Sequence, residues 1–267
     1  MRYLFFLSLL PIAACGGSGG PGGTPPANIT PTAADIGGRA ASVSFNAATG
    51  EFVAEIGGRT RTLGPLPSHD NGTFLAAIGT FDRDGMFVSQ SENSTALLYL
   101  PDPTVISGGP SATVARTGGT TIPTQGTASV TGDYVGIFQA GTGADRPFAI
   151  VNGDATFEVD FGRQVISGLV SNRIARDPDT NDTTLEFPVA FVDLVLLPAV
   201  ITPNGTFTTE TEGGDASLGP VEVVAPPEGT YTGLIAADGT EVVAGVEVRY
   251  NFGEGGFLEV GAAAAGH

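Results

Sequence analysis

Lysine and tryptophan are absent from this 267-residue sequence, cysteine occurs once and histidine twice. These absences remove most catalytic machinery. Nucleophilic catalysis needs a hydroxyl, thiol or amine next to a base, most often histidine or lysine. The two histidines are His69, in a stretch that reads as a solvated loop, and His267, at the far end of the sequence. The Asp-Thr-Gly or Asp-Ser-Gly tripeptide of an aspartic dyad does not occur. Gly16-Gly-Ser18-Gly-Gly20 has the letters of a nucleophile elbow, yet an elbow needs a strand before it and a helix after it. Both neighbours here are glycine- and proline-rich. No enzyme activity and no cofactor are expected.

Positive charge is scarce. All the basic residues are arginine, 11 of them against 28 acids, for a formal charge of −17. A surface this acidic repels nucleic acid and anionic lipid heads, so neither is expected as a partner. The acidity reads as solubility, or as steering of a basic partner or a cation.

Long apolar runs are missing as well. Met1–Ala14, MRYLFFLSLLPIAA, carries one arginine, an apolar run and then small residues. At about 12 residues the run is too short to span a bilayer and reads as a secretory signal peptide, residues 1–14. Ile12-Ala-Ala-Cys15 then fits the bacterial lipobox, whose cysteine is acylated. The other reading, a buried free thiol, has no core around it, because residues 15–34 continue as a glycine- and proline-rich tether. Such a tether reaches on the order of 25 Å. Removal of Arg2 with the signal takes the charge from −17 to −18, so membrane attachment falls to the lipid, about 0.8 kcal/mol per buried methylene. Gly16, not aspartate, follows the cysteine, which points to the outer membrane or cell surface.

What remains alternates. In DATFEVDF, Ala155, Phe157, Val159 and Phe161 interleave with Thr156, Glu158 and Asp160, a period of two that buries one strand face. Glycine recurs beside aromatics, in Gly132-Asp-Tyr134-Val-Gly136 and Gly229-Thr-Tyr231-Thr-Gly233. Such repeated use inside strands indicates bends or close backbone approach, as in a small closed barrel. Tyr231 is expected to fill the interior beside bare glycine backbone, with Phe157 and Phe161 on a neighbouring wall. The run Gly229–Val246 resembles the closing motif of the transferrin-binding protein B β-barrel family, matched by Gly229, Tyr231, Gly233, Glu241 and Gly245. Pro123–Gly126 leading into Gly132, Tyr134 and Gly136 resembles the barrel's opening in transferrin-binding-protein-like solute-binding lipoproteins. The resemblance covers about residues 119–252. It implies an all-β fold: a small N-terminal β handle followed by a C-terminal eight-stranded antiparallel β-barrel.

The order of segments agrees. Residues 35–118 hold short strands joined by turn signals such as Asn46–Gly50 and Phe81–Gly85, in the place of the handle. Residues 119–252 supply seven or eight strands, and 253–267 are a tail or closing segment. Leu185–Ile201 is strongly apolar, but Pro188 and Pro198 argue against one helix. Glu241 either hydrogen-bonds across the barrel's closing seam or faces solvent. Asp177, Asp179 and Asn181 copy the first three ligand positions of an EF-hand, but Asp182 and Pro188 stand where glycine and glutamate are needed. A looser calcium site and a plain acidic loop both stay open. The resemblance implies a binding lipoprotein for a protein or small solute; a structural envelope lipoprotein is the other reading.

Overall fold

The alternating runs are strands, and strands build nearly everything described. The computed structural model describes residues 35–267 except 37–40, 47–48, 50, 57–58, 80–83, 102–108, 117–119, 141–148, 184–188, 214–215, 219–224 and 253–254. The signal peptide, Cys15, the tether and the boundary at 118–119 lie outside the described residues.

The first unit comprises β1 (Asp35–Ile36), β2 (Ala41–Asn46), β3 (Glu51–Ile56), β4 (Arg59–Pro65), β5 (Leu75–Gly79), β6 (Gly85–Gln90), β7 (Ser94–Leu100) and β8 (Ser111–Arg116). From β2 to β8 each strand pairs antiparallel with the next, and β1 adds to β8 at the far edge. One face of this sheet gathers Phe52, Leu63, Met86, Leu97 and Tyr99 into a core of its own.

The second unit comprises β9 (Thr127–Ala140), β10 (Ala149–Asp160), β11 (Val165–Arg176), β12 (Val189–Phe191), β13 (Leu194–Val200), β14 (Thr206–Gly213), β15 (Ala216–Leu218), β16 (Ala225–Ala236), β17 (Glu241–Phe252) and β18 (Gly255–Ala265). Eight of them close into an antiparallel ring, β9-β18-β17-β16-β14-β13-β11-β10, with β10 paired back to β9. The short β12 and β15 pair with each other beside β11. Closure leaves the ring no free strand edge.

The barrel does not stop at residue 252. Its eighth strand is β18, which pairs with both β17 and β9. The run GFLEVGAAAA gives no period of two because both of its faces are covered. Ala263 and Ala265 face the interior, whereas Val260, Ala262 and Ala264 pack outward against the handle. That outward cluster joins Val135, Ile137, Leu234 and Val243 of the barrel wall to Phe74, Phe87, Leu98 and Val114 of the handle sheet. The handle therefore lies flat on the wall formed by β9, β18, β17 and β16.

Candidate functional site

The family-motif residues are core and backbone-approach positions. Tyr231 is fully buried, with its ring 5.7 Å from Phe207 and its hydroxyl donating to the carbonyl of Leu197, the Ile166 carbonyl lying 3.4 Å away. Burial holds its phenol above the ordinary tyrosine range. Phe157 and Phe161 share the same interior cluster. At Gly233 an added Cβ would collide with the Phe207 ring and with the Val243 carbonyl, so glycine is what lets that ring lie against the strand. Gly229 and Gly132 likewise face backbone carbonyls across the ladder, those of Glu247 and Ala264. Gly136 sits under the Tyr134 hydroxyl, and Gly245 pairs with Thr232 and Ala262.

The Tyr134 hydroxyl leads to a charge network that the sequence does not announce. Glu259 and the Arg173 side chain are completely buried in the barrel and form an ion pair. Tyr134 donates to Glu259 Oε1 at 2.7 Å and Tyr250 donates to Glu259 Oε2 at 2.8 Å. Arg173 also donates to the Tyr250 oxygen at 2.9 Å and to the Val192 carbonyl at 3.0 Å. Burial, then the Glu259 charge, hold Tyr134 well above the ordinary phenol range, and Tyr250 is raised for the same two reasons. Arg173 stays charged: Glu259 and the two tyrosines outweigh its desolvation. Beside it lies an aromatic stopper. Phe138 stacks on Phe257 at 5.0 Å and meets Phe191 edge-on at 5.3 Å, while the Arg173 guanidinium lies 4.5 Å from the Phe191 centroid.

Glu241 neither bridges the barrel's closing seam nor faces solvent. Its carboxylate turns outward to the handle, where it accepts from Ser91 Oγ at 2.5 Å, Ser94 Oγ at 2.9 Å and Asn93 Nδ2 at 3.0 Å. His267 completes this cluster, with Nδ1 2.8 Å from Ser89 Oγ and Nε2 2.8 Å from Ser94 Oγ. A hydroxyl has one proton, and that of Ser94 goes to Glu241, so Nε2–H of His267 donates to Ser94 and Nδ1 accepts from Ser89. The chain of donors runs Ser89, His267, Ser94, Glu241. Burial lowers the His267 pKa while Glu241, 3.9 Å away, pulls it up. Ser94 is fully buried, so this serine–histidine contact has no access for a substrate.

His69 is not a solvated loop residue either. It lies in a one-turn 3₁₀ segment, Pro67–His69, and is 5% exposed. Its Nε2–H donates to the Pro178 carbonyl at 3.1 Å, and Nδ1 accepts from Ser68 Oγ. The acidic loop is thereby drawn to the handle, where Asn181 Nδ2 also donates to the Ser68 carbonyl. Asp177 Oδ1 is occupied within its own loop, accepting from the amides of Asp179 and Thr180 at 2.8 Å each. Those bonds hold its carboxyl below the ordinary range. The loop is a turn that caps itself and a contact between the two units; no group of three metal-ligating side chains occurs among the described residues.

The barrel wall away from the handle is different in kind. Of five large apolar residues exposed among those described, four lie on or beside β11 and β13: Ile174, Val192, Val195 and Val200.

No family model matches this sequence, and no curated protein matches it. Among solved structures the chain is similar to a single-site variant of transferrin binding protein B from Haemophilus parasuis Hp5. That match has 17% identity and a TM-score of 0.47, over 79% of this chain and 40% of that one. A double variant of the same protein aligns at 13% identity and a TM-score of 0.41, over 85% of this chain and 53% of that one. A DUF3598-family protein of unknown function from Nostoc punctiforme aligns at 12% identity and a TM-score of 0.26, over 86% and 92%. The chain thus spans about half or less of the transferrin-binding structures it matches. The architecture, a β handle followed by an eight-stranded antiparallel barrel, stands on the strand pairing itself.

Proposed function

We propose that this chain is a lipid-anchored, non-enzymatic binding module of the bacterial outer membrane or cell surface, and that it engages a protein through its outer surface. One observation carries the choice of a protein over a small solute. The barrel interior is occupied by its own side chains: Tyr134, Phe138, Phe157 and Tyr231 have no accessible surface, and Tyr250 has 1%. A side chain with no accessible surface has no water-sized space against it, so a solute would have to displace packed rings and a buried ion pair. Solute sites in barrels need an unfilled lumen. A purely structural lipoprotein calls for a uniformly polar exterior, and the exposed wall around Val195 and Val200 is not one.

Native mass spectrometry of the protein taken from its own envelope tests this reading. A co-purifying protein, with no adduct on the chain beyond the lipid, is the expected result. A stoichiometric small-molecule adduct would assign the barrel to a solute. Anchoring is tested separately: Cys15→Ala should release the chain to soluble fractions, and retention in carbonate-washed membranes would place the anchor elsewhere.

A further inference from the structure

Resting on that reading, we infer that the outer face of β11 and β13 is the docking surface, and that its partner is a basic amphipathic segment of another protein. The ladder places the exposed apolar residues in rows. Residues paired across a ladder point to the same side, and Leu169 pairs with Val195 and Val165 with Val200. Val200 is 72% exposed, Val195 43%. The stripe continues past the middle of β11 to Ile174, which pairs with Ala190, and to Val192 two residues further along, each 47% exposed. From Val165 to Ile174 the stripe runs about 30 Å at the usual rise of a strand. In the ring order β11 and β13 lie across from β17 and β18, on which the handle sheet packs, and the handle touches this side through His69 and Ser68 at the loop after β11.

The stripe is bordered by negative charge on both sides. On β10, Asp160 pairs directly with Val165, and Glu158 and Asp154 follow on the same outward face. Asn172 and Ser129 donate to Asp154 and Glu158, and neutral donors leave those charges in place. On the other side Glu210 of β14 and Asp193 before β13 are exposed. Arg163 at the hairpin tip offsets Asp160, so the uncompensated charge on this border is that of Glu158 and Asp154. Apolar residues flanked by carboxylates select a partner with apolar side chains flanked by arginine or lysine. A second copy of this chain brings acid against acid at a net charge of −17, and an anionic membrane is repelled in the same way. Isolated exposed valines need no explanation, but four large apolar side chains on one wall mark an interaction surface.

The test uses the full lipidated chain in phosphatidylcholine nanodiscs, with empty discs as blank, and labelled peptides read by fluorescence anisotropy. An amphipathic leucine–arginine helix should bind, more weakly as salt rises. Leucine–glutamate and serine–arginine counterparts should bind at least tenfold more weakly. Val195→Ser with Val200→Ser should lower leucine–arginine affinity at least tenfold at unchanged melting temperature. Asp154→Asn with Glu158→Gln should lower it and flatten its salt dependence. Binding no tighter than to empty discs, equal binding of the serine–arginine peptide, unchanged affinity of the valine variant, or concentration-dependent dimers overturn the inference. A photo-crosslinker at position 195, compared with one at Leu75 on the handle, separates the two readings. A native partner captured from position 75 alone overturns this surface and leaves the binding function standing. Absence of any partner, together with absence of peptide binding, overturns both.

Discussion

Replacing Arg173 by methionine removes one half of a pair that has no contact with water. Glu259 is 0% exposed, and its remaining donors, the hydroxyls of Tyr134 and Tyr250, are neutral. Breaking a buried ion pair from one side costs about 3–5 kcal/mol, because the surviving charge is left uncompensated in a low-dielectric site. The carbonyl of Val192 loses its donor as well, which adds about 1 kcal/mol or more if water cannot reach it. In a folded unit of this size each kcal/mol moves the melting temperature by about 2–4 °C, so Arg173→Met should melt roughly 8–24 °C lower. The informative variant is the double one. Arg173→Met with Glu259→Leu replaces both charges by apolar side chains of similar length, and such swaps are often neutral or stabilising. It should recover most of the loss, giving a coupling of about 2 kcal/mol or more in a double-mutant cycle. Circular dichroism melts and denaturant titrations of the wild type, both single variants and the double variant measure this directly. If the two single losses simply add, the network is not a coupled unit and the reasoning fails. If Arg173→Met costs under 1 kcal/mol, the site is wetter than its burial indicates.

Tyr231→Ala should cost about 3–5 kcal/mol as a buried aromatic truncation, whereas Tyr231→Phe should cost about 1 kcal/mol, the net worth of its hydroxyl bond; equal losses in the two would remove the ring from the core. His267 has a folded pKa below its ordinary 6.5, burial being the larger cause, so the unfolded chain takes up the extra proton. The stability tied to neutral His267 is complete above about 6.5 and is lost as the pH falls below it; His267→Gln should flatten the fall in melting temperature between about pH 7 and pH 5, and an unchanged profile would locate the acid sensitivity elsewhere. A fragment starting at Thr120 should still give a strand-dominated spectrum with a cooperative melt. Without the handle it bares Val135, Ile137, Leu234, Val243 and Val260, so it should self-associate in sedimentation, and a monomer at high concentration would contradict the docked arrangement.

The barrel is legible in the sequence where only one face of a strand is buried. DATFEVDF shows its period because Thr156, Glu158 and Asp160 face outward while Ala155, Phe157, Val159 and Phe161 are buried in the interior. The glycine–aromatic pairs are legible for a steric reason: a ring such as that of Phe207 needs the missing Cβ of Gly233. Arg173 was hidden by geometry. Val170 and Arg173 both face the interior although three residues apart, because a bulge opposite Asn152–Asp154, with Asn172 at φ 52°, shifts the phase of β11. Strict alternation assigns Arg173 to solvent. Glu259 was hidden by the opposite circumstance, since Leu258 and Val260 on its other face are apolar too and the strand offers no contrast. His69, Glu241 and His267 needed the docking of one unit on the other. Their partners Pro178, Ser94 and Ser89 are more than 100 residues away in the chain, and no local pattern encodes such a meeting.

The pairing of β9 with β18 joins Gly132 to Ala265, 133 residues apart, and it is across this same junction that the handle lies. For a chain that is made from its N-terminus, this sets an order of events. The handle's strands pair in sequence and can form early, but the wall they rest on does not exist until the last strand arrives. Until then the ring is an open sheet with two bare edges, and the apolar faces of handle and barrel are both uncovered. Folding is therefore gated by the arrival of β18, and is slow because the closing contact is so distant in sequence. A chain lacking β18 loses closure and handle docking together, so one strand decides both whether the ring shuts and whether the two units meet.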